Sequence, residues 1–190
     1  MKFLIGLMAT ILIFIGCSKK SDPAPLQLLT NSNMETGGTQ PNSWSYYSPT
    51  DSIVGLWTTN AANSPTHSLE ITRSATITSP RFAYWRQEYS SVIPTGKNLV
   101  LSVKIKGQNL SGYGAAIAIR IDNATTLTGY ALQFSTTQGT TPITGTFDWT
   151  PYSVRLTNVD PTAQRITIYL LLLNDTTGSV NFDDANLTVE

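Results

Sequence analysis

Few side chains in this sequence could do covalent or acid–base chemistry. The 190 residues include one Cys and one His, and 12 Lys plus Arg balance 12 Asp plus Glu. This excludes a disulfide framework, a Cys/His zinc site and most His-dependent catalysis within one chain. A neutral chain also lacks the basic excess of a nucleic-acid binder. There is no Gly-x-Ser-x-Gly elbow, P-loop or His-Glu-x-x-His run. Glycoside hydrolysis would need two carboxyl groups about 5 to 10 Å apart across a cleft, and Glu70, Glu88, Asp122 and Asp148 are candidates only by default. His67, in Pro-Thr-His-Ser-Leu-Glu-Ile, reads as the start of a strand in a turn network rather than as a base.

The chemistry that remains is non-covalent: flat rings laid on apolar ligand faces, with planar or charged groups bonding to hydroxyls. The chain has 4 Trp and 8 Tyr. In Phe82-Ala-Tyr-Trp-Arg-Gln-Glu-Tyr89, strand alternation puts Tyr84, Arg86 and Glu88 on one side and Trp85, Gln87 and Tyr89 on the other. The first set is assigned to a binding face. A second stretch sets Arg120 beside the small residue Ala118, which forms a shallow concavity with one cationic donor. Gln133, Arg155 and Tyr169 join this face if their strands share the sheet. Trp57, Tyr46 and Tyr113 lie in or beside loops and are further ligand candidates, whereas Trp85 and Trp149 are read as core. The competing reading makes the three arginines ordinary solvent-facing residues.

The elements that must position these groups are strands. The chain is Ser- and Thr-rich (18 and 28 residues), with 13% charged and 41% hydrophobic residues. Leu99, Leu101, Val103 and Ile105 alternate with polar partners, as do Ile117, Ile119 and Ile121 with Ala116, Ala118 and Arg120. The run Ile166 to Leu173 is apolar on nearly both faces and reads as a central strand. Strands are expected near 26–30, 44–48, 53–59, 67–73, 75–78, 82–90, 98–108, 115–122, 129–136, 150–157, 165–174 and 179–189, with turn clusters between them. The expected fold is all-β: a two-sheet antiparallel β-sandwich with jelly-roll topology, in one domain over residues 26–190.

Residues 1–16 have the charged start and short apolar core of a secretory signal. That core is too short for a membrane span. Phe14-Ile15-Gly16-Cys17 resembles the lipobox of bacterial lipoproteins, which implies that Cys17 is acylated and becomes the mature N-terminus. Residues 17–25, including Lys-Lys-Ser-Asp-Pro-Ala-Pro, read as a flexible tether that resembles those of Bacteroidota lipoproteins.

Asn31-Ser-Asn-Met-Glu35, followed by Gly37-Gly38, Pro41 and Trp44, resembles the opening of carbohydrate-binding modules of families 4, 9 and 22, with Met34 in place of an aromatic. Gly178-Ser-Val-Asn-Phe-Asp-Asp-Ala-Asn-Leu187 resembles their closing strand, and the pieces between fall in the same order. This resemblance implies a galactose-binding-like sandwich and a structural calcium ion at Glu35 and Asp183. Alternation puts Asp183 on the inward side with Ala185 and Leu187, so its carboxylate needs a partner. Calcium is the preferred partner, and backbone N–H groups or an arginine are the alternative.

The sequence therefore leads to a non-catalytic, lipid-anchored glycan-binding module. It is expected at the outer membrane, on the cell surface or the periplasmic face, with polysaccharide or oligosaccharide as partner and the membrane reached through the lipid alone. The alternative is a structural or adhesive lipoprotein that binds other envelope proteins, and a glycoside hydrolase is the third reading.

Overall fold

In the computed structural model, residues 26–74, 82–126 and 129–190 are described. The expected signal segment, Cys17, the tether and the strand at 75–78 lie outside them. All regular structure among the described residues is strand: β1 (Ser45–Tyr47), β2 (Ile53–Thr58), β3 (Ser68–Arg73), β4 (Ala83–Tyr89), β5 (Leu99–Asp122), β6 (Gln133–Thr136), β7 (Ile143–Leu156), β8 (Arg165–Leu172) and β9 (Thr177–Val189). Every pairing between them is antiparallel.

The 24-residue β5 belongs to both layers of the sandwich. Its first half lies between β7 and β9, and the layer continues through β3 to β2. Its second half lies between β6 and β8, and that layer continues through β4 to β1. Two strands expected at 98–108 and 115–122 are thus one, because the presumed turn at 107–114 stays hydrogen-bonded while it bends. Two glycines make the bend. Gly112 and Gly114 have φ of 84° and 79°, and a Cβ on either would fall about 1.9 Å from the Asp175 carbonyl or 2.2 Å from that of Ile143.

Between the layers, Leu99, Leu101, Val103 and Ile105 meet Ile117, Ile119 and Ile121 with Ile166, Ile168 and Leu170 in one buried core. Trp85 sits in this core and ties the layers together, its indole N–H donating to the Glu70 carbonyl at 3.1 Å. The central position expected for 165–174 holds, since β8 lies between β4 and β5. Three boundaries differ from expectation. β7 begins at Ile143 rather than 150: Ile143 is buried, but Thr144, Gly145 and Thr146 are all exposed and Phe147 and Trp149 only half-buried, which leaves a weak period. β6 covers only Gln133–Thr136, and residues 26–30 contribute a bridge between Gln27 and Thr188 rather than a strand.

Candidate functional site

The outer face of the β1-β4-β8-β5-β6 layer collects the aromatic and arginine residues. Cross-strand register stacks Tyr84 against Leu171, Arg86 against Tyr169 and Glu88 against Thr167. It also sets Leu171, Tyr169 and Thr167 against Ala116, Ala118 and Arg120, and Arg120 against Phe134. Ala116 and Ala118 are fully buried beneath their larger neighbours and make a low floor with Leu171. β4 and β6 are three strand spacings apart, about 14 Å. The rings of Tyr84 and Phe134 therefore rise on either side of that floor.

The resulting trough has a volume of about 330 Å³ and is lined by Phe82, Tyr84, Tyr169, Phe134, Arg120 and Gln138 above Thr136 and Leu171. Its aromatic wall is continuous. Tyr47 stacks on Tyr84 at 5.0 Å and 26°, Tyr169 meets Tyr84 edge-on at 5.0 Å, and Phe82 lies 6.2 Å from Tyr84. Phe134 is 55% exposed and Phe82 46%, although both are large and apolar, which suits a surface held ready for a ligand. Burial and the neighbouring Tyr169 hydroxyl raise the Tyr84 pKa, so its phenol is a neutral donor at physiological pH.

An alternating row of charges bounds one end of the trough and crosses the strands. Arg86 pairs with Glu88 at 3.4 Å, Glu88 with Arg165 at 3.7 Å, Arg165 with Asp122 at 3.3 Å, and Asp122 with Arg120 at 2.9 Å. Arg120 also donates to the carbonyls of Thr126 and Gly129 at 3.2 and 2.8 Å. Asp122 has no exposed surface. Burial alone would raise its pKa, but the hydrogen bonds and charge of Arg120, then those of Arg165, carry it below the usual value. A general acid needs a raised pKa, and the two carboxylates of this face are each engaged by guanidinium groups.

Of the candidates read from sequence, Tyr84, Arg86, Arg120 and Tyr169 share this face. Gln133 does not, which corrects the sequence expectation. It faces the opposite side of β6, opposite Ile121. There it binds the 158–160 turn, accepting from the Asp160 N–H at 2.9 Å and donating to the Asn158 carbonyl at 3.1 Å. The aromatic beside it, Phe134, takes the site position. Arg155 lies on β7 in the other layer and pairs with Glu190. Trp57 is on β2, its indole donating to the Met34 carbonyl at 2.6 Å and its ring stacked on His67 at 4.2 Å. Tyr113 is exposed at the bend of β5, outside the trough lining. Sequence reasoning missed Phe82, Phe134 and Tyr47. Phe82 shares the parity of Tyr84 and was within reach of the alternation argument, whereas Tyr47 depends on the register of β1.

Glu35 and Asp183 clamp one loop. The Asp183 carboxylate accepts from the N–H groups of Asn63, Ser64 and Asp184 at 2.7 to 2.9 Å and from the Ser64 hydroxyl at 2.8 Å. Burial nevertheless pushes its pKa up. Glu35 accepts from the N–H groups of Thr66 and His67 at 3.0 and 2.8 Å and from the Thr66 hydroxyl. Burial would raise its pKa, yet these bonds hold it at about 2. The pair does not fit a calcium ion as arranged. All four oxygens already face N–H or O–H donors, whose positive ends occupy the space a cation needs. Among the described residues no three His, Cys, Asp or Glu side chains gather as a metal site. The alternative partner weighed for Asp183, backbone N–H groups, is the one the structure holds.

Comparison with solved structures shows the fold. The enzymatically active domain of tailspike protein 4 from bacteriophage CBA120 superposes with a TM-score of 0.63 at 14% identity, covering 86% of this chain but only 21% of the tailspike chain. TmCBM61, solved with β-1,4-galactotriose, gives 0.56 at 17% identity over 87% of this chain and 99% of its own. The xylan-binding CBM22-1 domain of Xyn10C from Paenibacillus barcinonensis gives 0.56 at 14% identity, covering 89% of this chain and 97% of its own. The chain therefore has the sandwich fold of carbohydrate-binding modules. No family model and no curated protein sequence matches it significantly.

Proposed function

We propose that the protein is a non-catalytic glycan-binding module, held at the cell envelope by a lipid on Cys17, that keeps polysaccharide near the cell. The observation that carries this reading is the trough. Aromatic rings flank a floor of Thr136 and Leu171 laid over the buried Ala116 and Ala118, and phenol, guanidinium, amide and hydroxyl groups stand along it. Pyranose rings offer apolar faces to stack and hydroxyls to bond, and this surface supplies both kinds of partner. The engagement of Glu88 and Asp122 by arginines supports binding without hydrolysis. The lipobox-like Phe14-Ile15-Gly16-Cys17 supports an outer-membrane address, on the surface or the periplasmic side.

The test is a glycan-array and affinity-gel screen of the wild type beside Tyr84→Ala and Phe134→Ala. Either substitution is expected to weaken retention roughly tenfold or more. Unchanged retention in both variants would move the binding site off this face. Failure of the wild type to bind any glycan would overturn the reading and favour contact with another envelope protein.

A further inference from the structure

The row of charges beside the trough is unbalanced. On the strands of this layer it consists of Arg86, Arg120 and Arg165 against Glu88 and Asp122, three positive groups for two negative ones. The chain as a whole is neutral. The position of the surplus follows from how each guanidinium is used. Arg120 holds Asp122 through Nε at 2.9 and 3.0 Å and spends Nη2 on two carbonyls, and its side chain is 23% exposed. Arg165 bridges Asp122 and Glu88 at 27% exposure. Arg86 is the outermost, 42% exposed, with two long contacts of 3.4 Å, to Glu88 and to the Ser45 hydroxyl. Glu88 divides its oxygens between Arg86 and Arg165, and among the described residues no hydrogen bond engages Nη2 of Arg86. The unmatched charge therefore sits at the solvent end of the row.

That end also borders a second depression. Arg86 lines a polar groove of about 420 Å³ with Thr30, Ser43, Ser45, Gln87 and Glu88, the last already held by Arg86 and Arg165. Along β4 it stands two residues from Tyr84, about 7 Å on the same face. A ring lying on Tyr84 would hold a substituent toward the guanidinium, whose fork matches a carboxylate in both geometry and charge.

Resting on the glycan-binding reading, we propose that Arg86 receives the carboxylate of a uronic-acid residue whose ring lies against Tyr84, so that the protein selects acidic over neutral glycans. A hydroxymethyl group in place of the carboxylate would leave the surplus charge unanswered.

The test uses polygalacturonate, alginate and glucuronoxylan, each paired with the same polymer after chemical reduction of its carboxyl groups, which leaves linkage and ring stereochemistry intact. At least one native polymer is expected to bind roughly 10- to 100-fold more tightly than its reduced partner, with the difference shrinking as salt is raised. Arg86→Gln is expected to bring the native polymer down to the reduced one. Arg86→Lys keeps the charge without the fork and is expected to fall between. Equal binding of native and reduced polymers, or binding of neutral glycans alone that Tyr84→Ala removes, would overturn the acidic preference and leave glycan binding standing. Binding of no polymer and no array glycan would overturn both.

Discussion

Replacing Asp122 by Asn tests whether the ion-pair row holds the trough together. Asp122 is fully buried, and its carboxylate oxygens take two bonds from Arg120 Nε at 2.9 and 3.0 Å and one from Arg165 Nη2 at 3.3 Å, with the Arg120 Nη2 charge 2.9 Å away. An amide keeps the shape, removes the charge and turns a donor toward two guanidinium groups. Breaking a buried pair by removing one partner costs about 3 to 5 kcal/mol. Both arginines retain partial solvent access, so the lower end applies, about 3 kcal/mol. For a domain of this size that is a fall in melting temperature of roughly 6 to 12 °C. The pH dependence has a definite sign. The Asp122 pKa is depressed below 3.8, so its stabilisation is complete above that value and is lost as pH falls through the folded-state pKa. Calorimetry of wild type and variant from pH 7 downward should show a gap that closes below about pH 4. A variant that melts within about 2 °C of wild type at pH 7 would show that the row stabilises nothing, and a gap independent of pH would show that the Asp122 charge is not what stabilises.

Glu35 predicts a second acid-sensitive element. Its pKa of about 2 against an ordinary 4.5 means its contribution is present above pH 4.5 and is lost as pH falls toward 2. With its side chain 16% exposed, Glu35→Gln is expected to cost about 1 to 2 kcal/mol at pH 7 after allowing for solvent, read from urea unfolding, and little at pH 2. Because N–H and O–H donors fill the Glu35 and Asp183 oxygens, calcium and chelator should give the same melting temperature, and a calcium-dependent rise of several degrees would restore the metal. Gly112→Ala should destabilise the protein by more than about 2 kcal/mol in the same urea assay, because its φ of 84° is left-handed and the new Cβ meets the Asp175 carbonyl; near-neutral behaviour would mean that β5 crosses elsewhere.

The sequence showed the strands wherever one face is buried. Ile117, Ile119 and Ile121 alternate with Ala116, Ala118 and Arg120, and that pattern alone located both the core and the floor of the trough. It also gave Tyr84 and Arg86 their shared face, because parity within a strand is local information. Assigning residues across strands was harder. Gln133 and Phe134 are neighbours on a four-residue strand, and choosing the wrong one is a phase error of a single residue, which moves a side chain to the opposite face. Residues 143–149 gave little signal because Thr144, Gly145 and Thr146 are all exposed and the buried side is marked only by Ile143 and the half-buried Phe147 and Trp149. The 107–114 stretch read as a turn from its glycines, although in β5 those glycines bend a strand whose ladder continues.

The bend in β5 also gives the two outer faces different surfaces. Before the bend, the outward residues of β5 are Val100, Ser102, Lys104 and Lys106, paired with Arg155 and Ser153 on β7 and with Thr188, Asn186 and Asn181 on β9. Long, hydrated side chains cover the middle of that sheet, and its depression, about 470 Å³, lies toward the bend between Lys106, Gln108, Phe147 and Asp148 without a flanking pair of tyrosines. After the bend the same strand turns Ala116 and Ala118 outward, at the centre of a layer whose flanking strands carry Tyr84 and Phe134. A concave sheet face needs its smallest residues in the middle and its largest at the sides, and β5 meets that condition only in its second half. Ala118→Leu would raise the floor between the rings while adding only apolar volume, so it should reduce glycan retention much as Tyr84→Ala does, with an overpacking cost of about 1 to 3 kcal/mol in stability. A substitution at Lys104 on the other face should leave retention unchanged.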